Sequence, residues 1–194
     1  MRIYDLSQVS ILLAEDNDFM ARMMTSMLSA LRVGRIYRAS DGSQAMKIID
    51  EHASGASPCA GFGIDIIMSD WLMEPVDGLQ LLRWVRAHPK DQVRFLPFLM
   101  ITAYPELKRV LTARDCGNTE FLRKPISVRT LVGHLAEVIE RPRPFVRTKA
   151  YFGPDRRRRE LPPGGSERRA GDAAEIATEI AAPGVRAISG TSHP

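Results

Sequence analysis

The sequence predicts an α/β fold, a doubly wound parallel sheet of five strands, and three observations carry that prediction. Short apolar runs alternate with segments of helical periodicity, five times over, within the first 140 of 194 residues. The runs are nearly continuous in apolar character, as expected of strands buried on both faces of a parallel sheet. The chemically unusual residues fall directly after those runs, where strands of an open α/β sheet carry their ligand sites.

The elements follow in order. Residues 9–14 (VSILLA) form the first apolar run, and 18–31 follow with Phe19, Met20, Met23, Met24, Met27, Leu28 and Leu31 at helical spacing. Residues 35–39 read as a second strand, and 44–52 as a second helix after the turn residues Asp41-Gly42. A small-residue loop at 54–63 precedes the third strand, 64–69, which ends against Asp70. Residues 79–87 read as a helix, 95–101 as a fourth strand, and 106–116 as a helix ended by Gly117-Asn118. Residues 119–122 make a short fifth strand, and Ser127 caps a last helix running to residue 139. Asp18, Asp41 and Asp77 read as turn and cap residues, and the methionines from Met20 to Met27 as core packing. Trp71 reads equally as packing or as partly exposed, and His52, His88 and His134 as surface or helix-end residues. Five strands alternating with helices suit a flavodoxin-like sheet, with its site at the carboxyl ends of the strands.

Composition divides the chain near Arg141-Pro142-Arg143-Pro144. Residues 1–140 carry 16 Lys and Arg against 17 Asp and Glu, whereas 141–194 carry 11 against 6, so the net charge of +4 resides in the tail. A uniformly basic nucleic-acid binder is thereby excluded. The tail holds 7 of the 13 prolines and few large apolar residues, too few for a core of its own. The expected organisation is a folded domain at 8–140 and a mostly disordered basic tail at 141–194, with a short helix possible in 172–182. No run approaches the roughly eighteen apolar residues of a membrane span, and the N-terminus lacks a secretory pattern. Cys59 and Cys116 lack metal-ligand spacing and read as reduced thiols. A cytoplasmic protein is expected.

Glu15-Asp16 follows the first strand, Asp70 the third, Thr102 the fourth and Lys124-Pro125 the fifth. Converging carboxylates repel one another, and each bears a desolvation cost. A hard divalent ion such as Mg²⁺, held by one or two carboxylates with water and phosphate, relieves both. A lysine offers a point charge to a phosphoryl oxygen, and a threonine hydroxyl a neutral donor. A nucleophile, a metal and a cationic clamp are the parts that phosphoryl transfer needs. Asp70 is the candidate nucleophile, since a carboxylate forms an acyl phosphate.

These motifs resemble the receiver domain of response regulators, in particular its chemotaxis-type, CheY-like branch. The acidic pair Glu15-Asp16, the segment Asp70-Trp71-Leu72-Met73-Glu74-Pro75-Val76-Asp77-Gly78-Leu79, the pair Thr102-Ala103 and Lys124-Pro125 match in order and spacing over about residues 8–140. The resemblance implies a receiver fold and a phosphoryl group accepted on Asp70 from a histidine kinase, a phosphotransfer protein or a small phosphodonor. It implies Mg²⁺ held by Glu15, Asp16, Asp70 and the backbone carbonyl of Leu72, with Thr102 and Lys124 on the phosphoryl oxygens. Phe121 falls where the family places its aromatic switch residue. Catalysis is expected to be limited to the domain's own phosphoryl transfer and hydrolysis. Two departures stand out: the first acid is Glu rather than Asp, and Phe121 lacks a hydroxyl, so an inward state rests on packing.

No DNA-binding or catalytic domain pattern follows, so action is expected through a docked partner or the tail. In the tail, Gly153-Pro154-Asp155-Arg156-Arg157 is echoed by Gly165-Ser166-Glu167-Arg168-Arg169, twelve residues on. Two copies suit a ligand with two equivalent halves. Arginine pairs clamp phosphate, reach guanine O6/N7 and stack on bases, while a carboxylate accepts from guanine N1–H and N2. Cyclic di-GMP offers two of each. The arginine-rich stretch 151–169 also resembles the tail of the Cle group of CheY-like proteins, which implies cyclic di-GMP as ligand and a partner such as the flagellar motor. The alternative is a plain phosphorelay shuttle or adaptor whose basic tail binds acidic surfaces without specificity.

Overall fold

The computed structural model describes residues 5–55, 63–103, 106–148 and 151–156. Five parallel strands stand in the order β2-β1-β3-β4-β5: β1 (Ser10–Ala14), β2 (Arg35–Ala39), β3 (Ile66–Asp70), β4 (Phe98–Thr102) and β5 (Glu120–Arg123). The chain runs outward from β1 to β2 and then returns to pair β3 on the other side of β1. That reversal is a topological switch point, and it opens a crevice between the carboxyl ends of β1 and β3.

The period of two along each strand divides the core into two layers. Ile11, Leu13, Ile66, Met68, Leu99 and Ile101 face α1 (Asp18–Ala30) and α6 (Val128–Glu140), meeting Met24, Leu28, Leu131 and Leu135. Leu12, Ala14, Ile67, Phe98 and Met100 face α2 (Gly42–Ala53), α3 (Gly78–Ala87) and α5 (Leu107–Asp115), meeting Ile49, Leu81, Leu82, Val85 and Ala113. Strands apolar on both faces are therefore a direct consequence of helices on both sides. The four-residue helix α4 (Asp91–Arg94) links α3 to β4 and has no counterpart in the sequence reading.

Caps set the helix starts. Asn17 accepts from the Met20 N–H, Asp41 from Ser43 and Gln44, and Ser127 from Thr130. Asp77 and Gln80 form a reciprocal capping box. Asp41 and Asp77 are thus the caps expected of them, whereas Asp18 lies one residue past its cap and pairs with Arg22 and Arg38. Trp71 is buried in the core. His88, expected at the surface or at a helix end, ends α3 and is buried there, with its Nε2 3.1 Å from Asp50 Oδ1.

The largest difference from the sequence reading lies past α6. Where the tail was expected to be mostly disordered from residue 141, β6 (Phe145–Arg147) and β7 (Phe152–Pro154) form an antiparallel hairpin, pairing Phe145 with Pro154 and Arg147 with Phe152. It is closed by Thr148 N–H to Tyr151 O at 2.8 Å and Asp155 N–H to Pro144 O at 2.7 Å. Phe145 and Phe152 stack edgewise on Phe95, at ring-centre distances of 4.9 and 5.2 Å. Three aromatic rings bury enough apolar surface to dock a short hairpin that could not stand alone. Cys116 is a free thiol; Cys59 and the expected helix at 172–182 lie outside the described residues.

Candidate phosphoacceptor site

Four of the five strands deliver polar groups to the carboxyl edge of the sheet. β1 runs into Glu15-Asp16, β3 ends on Asp70, β4 ends on Thr102, and β5 leads to Lys124. Parallel register brings them to one edge, with Asp70 beside Ile101 and Thr102 beside Arg123. The Lys124 N–H also donates to the Thr102 carbonyl at 2.9 Å, which extends the β4–β5 ladder by one rung.

The Lys124 ammonium bridges two carboxylates, lying 2.9 Å from Glu15 Oε2 and 2.9 Å from Asp70 Oδ2. The other Asp70 oxygen, Oδ1, accepts the Trp71 N–H at 2.7 Å. Glu15, Asp16 and Asp70 each place a carboxylate oxygen within 4.8 Å of the others, so the three can share one cation. Burial pushes the Glu15 carboxyl up, opposed by its hydrogen bond from Lys124. Burial pulls the Lys124 ammonium down, but its bonds to Asp70 and Glu15 outweigh this and leave it raised. The buried Oε1 of Glu15 has no hydrogen-bond partner. A buried carboxylate oxygen without a donor carries an uncompensated desolvation cost, and a divalent cation with oxygen preference would remove it. The donor set fits Mg²⁺.

Thr102 is buried at the same edge, and Phe121 stands half-buried on β5, three residues before the lysine. Leu72 is exposed in the loop between β3 and α3. The structure therefore gathers Glu15, Asp16, Asp70 and Lys124 into one cluster with Thr102 beside it. Of the six tail candidates, Asp155 and Arg156 end the described hairpin; Arg157, Glu167, Arg168 and Arg169 lie outside the described residues.

Two supporting residues were not singled out from the sequence. A Cβ on Gly78 would lie 2.1 Å from the Asp70 carbonyl oxygen, so only glycine lets α3 begin against the acceptor strand. Arg109 lays its guanidinium 5.8 Å from the centre of the Trp71 ring and so joins α5 to the residue after Asp70. The Asp-Gly pair preceding a helical run is a signal that could have found Gly78; a cation–π contact between distant residues has none.

An acidic trio and a lysine at the carboxyl edge of a β2-β1-β3-β4-β5 parallel sheet define the receiver class of doubly wound proteins. Residues 11–136 match the family described as response regulator receiver domain, and the chain belongs to that family. It is similar to chemotaxis protein CheY-3 of Vibrio cholerae serotype O1, at 27% identity over 133 residues, 69% of this chain and 93% of the relative. Chemotaxis protein CheY of Pseudomonas aeruginosa is likewise 27% identical, over 69% of this chain and 98% of its own. Among solved structures, Vibrio cholerae CheY4 superposes with a TM-score of 0.56 at 25% identity, covering 67% of this chain and 98% of that one. The CheX–CheY complex with BeF₃ and Mg²⁺ from Borrelia burgdorferi has a TM-score of 0.58 at 22% identity, over 67% and 88%. This is a CheY-type receiver domain of two-component signalling, a phosphoacceptor class that works with histidine kinases and phosphotransfer proteins. Among the described residues, no helix is long and apolar enough to cross a membrane.

Proposed function

We propose that the domain accepts a phosphoryl group on Asp70 and that its arginine-rich tail binds cyclic di-GMP, the two inputs acting on a protein partner such as the flagellar motor. The observation that carries the first part is the Lys124 ammonium shared between Asp70 and Glu15 at 2.9 Å each, beside a Glu15 oxygen that lacks any donor. An Asp70 carboxylate oxygen attacks phosphorus in line, the bond from phosphorus to the donor's histidine nitrogen breaks, and an acyl phosphate forms. The departing imidazole takes its proton from solvent. Lys124 holds one charge of the incoming phosphoryl group, and the Thr102 hydroxyl donates to a second oxygen. Glu15, Asp16, Asp70 and the Leu72 carbonyl would hold Mg²⁺, which supplies charge neutralisation at the phosphoryl oxygens. Phe121 would turn inward as Thr102 engages the phosphoryl group, held there by packing. Acetyl phosphate with Mg²⁺ should label the wild-type chain and leave Asp70→Asn unlabelled; labelling of that variant would refute the acceptor assignment.

The tail reading rests on the repeated Gly-x-acid-Arg-Arg pattern, which gives Asp155, Arg156 and Arg157 and then Glu167, Arg168 and Arg169. Support comes from the exposed side of the hairpin, where the Arg156 guanidinium lies 3.9 Å from the Tyr151 ring centre, a planar cation already laid on an aromatic face. Isothermal titration of the full chain with cyclic di-GMP tests it. Arg156/Arg157 to Ala, Arg168/Arg169 to Ala and Asp155→Ala should each abolish or strongly weaken binding. Undiminished binding by Asp155→Ala, which makes the tail more basic, would favour a plain shuttle whose tail binds acidic surfaces by charge alone. Truncation at residue 142 is the poorer test, because it also strips the rings of Phe145 and Phe152 from Phe95.

A further inference from the structure

The hairpin docks at the edge of the sheet opposite Asp70. Its rings rest on Phe95, which precedes β4, and its strand β7 rests on Gly117, which precedes β5. The contact with Gly117 is backbone against backbone: a Cβ on Gly153 would lie 2.6 Å from Gly117 Cα, and one on Gly117 would lie 2.8 Å from the Phe152 carbonyl. Gly117 has φ +90° and ends the turn that follows α5. One further bond ties the hairpin to α5 itself. Arg156 Nη1 lies 3.3 Å from Oδ1 of Asp115, the last residue of the helix.

α5 is the helix on which such a tie has most effect. Ala113 is its one buried residue, against three in α2 and five in α3. Leu107 and Leu111 are 73% and 37% exposed. Few buried apolar contacts leave an element at the low-stability end of a fold. Asp115 also sits where the helix dipole is negative, an unfavourable place for a carboxylate unless cations face it. Arg114 and Arg156 are those cations.

We infer that the hairpin is a latch on α5, with Arg156 as its movable part: the guanidinium that holds Asp115 is the same group that the tail's ligand would recruit. A phosphate or guanine that draws Arg156 away leaves Asp115 at the helix terminus with only Arg114, and the C-terminal turn of α5 loosens. The latch therefore joins the tail to α5. By linkage the effect is reciprocal: whatever loosens α5 tightens the ligand by the same factor. The ion pair is largely exposed, so that factor is roughly two- to fivefold. The ligand part of this inference rests on the tail reading above; the Arg156–Asp115 contact does not.

Hydrogen–deuterium exchange of the full chain tests both parts separately. Arg156→Ala should raise exchange in the C-terminal turn of α5 roughly two- to fivefold with no ligand present. In an Asp115→Asn background the same substitution should have no further effect. Unchanged exchange in Arg156→Ala, or an equal change in both backgrounds, overturns the latch. With cyclic di-GMP added at saturation, the wild type should show the same loosening, and Asp115→Asn should bind the nucleotide tighter by that factor. Nucleotide that binds without altering α5 exchange overturns the coupling. Nucleotide that fails to bind overturns the tail reading, and the ligand-free comparison then decides the latch alone.

Discussion

The two edges of the sheet are built by different means. At the carboxyl edge, five polar side chains from four strands meet in one crevice, and the backbone contributes little beyond placing them. At the amino edge, a hairpin distant in sequence is held by aromatic rings, a glycine pair and a buried cation. Arg86, near the end of α3, is only 6% exposed and donates to the carbonyls of Gly117, Arg94 and Leu96 at 2.9, 2.6 and 2.8 Å. Burial pulls its guanidinium down to about 9, so it stays charged at neutral pH. The Phe145 ring lies 5.1 Å from that cation and closes it off. The first edge is organised for chemistry and the second gathers loop carbonyls and ties loose segments together, and each keeps a buried polar atom without a partner, Glu15 Oε1 in the first and Arg86 Nη2 in the second.

If the edges are independent, a change at one should leave the other untouched. The largest effect is expected for Asp70→Asn, which should abolish labelling by acetyl phosphate, read by mass spectrometry, while the urea midpoint stays the same or rises. Phe145→Ala should cost about 3 kcal/mol in urea unfolding, the usual range for a buried ring. It should leave the Mg²⁺ titration unchanged, and a shift in Mg²⁺ affinity of similar size would show the edges to be coupled. Mg²⁺ at about a hundredfold its Kd should stabilise the folded chain by about 2.7 kcal/mol. EDTA should remove this gain and Glu15→Gln should diminish it, with thermal unfolding as the readout. The smallest effect is expected for Asp41→Ala, about 1 kcal/mol for a lost N-cap. Hydrogen bonds from the Ser43 side chain, and then from backbone N–H groups, hold the Asp41 carboxyl below its ordinary 3.8. Its contribution is therefore full above that value and is lost as pH falls through the lowered one. The wild type and Asp41→Ala should converge in stability at low pH and differ near neutrality.

The contrast also explains what the sequence could disclose. β2 is predicted to the residue, and Asp41, Asp77 and Ser127 cap as expected, because each depends on neighbours within four positions. Glu15, Asp16, Asp70, Thr102 and Lys124 could be assembled without coordinates because parallel strands deliver their ends to one edge. The hairpin was not legible. Its strands are three residues long, flanked by prolines and arginines, and their apolar partner Phe95 lies 50 residues before Phe145. Three-residue strands carry too little periodicity to register, and the contacts that seat them come from residues far away in sequence. The buried state of His88 was hidden for the same reason, since Asp50 reaches it from α2.

The buried Arg86 has a consequence for how this chain can be taken apart and recombined. Its charge is sheltered by the Phe145 ring, which belongs to the C-terminal segment, while the carbonyls it gathers belong to the receiver. Neither half is complete as a module. A tail transplanted onto a receiver without an arginine at that place, or without a glycine in the turn after α5, would find no seat. A receiver deprived of its tail would expose a guanidinium positioned to be covered. Domain shuffling at the junction near residue 141 is therefore disfavoured by the fold itself, and receiver and arginine tail are expected to travel through evolution as one inherited piece.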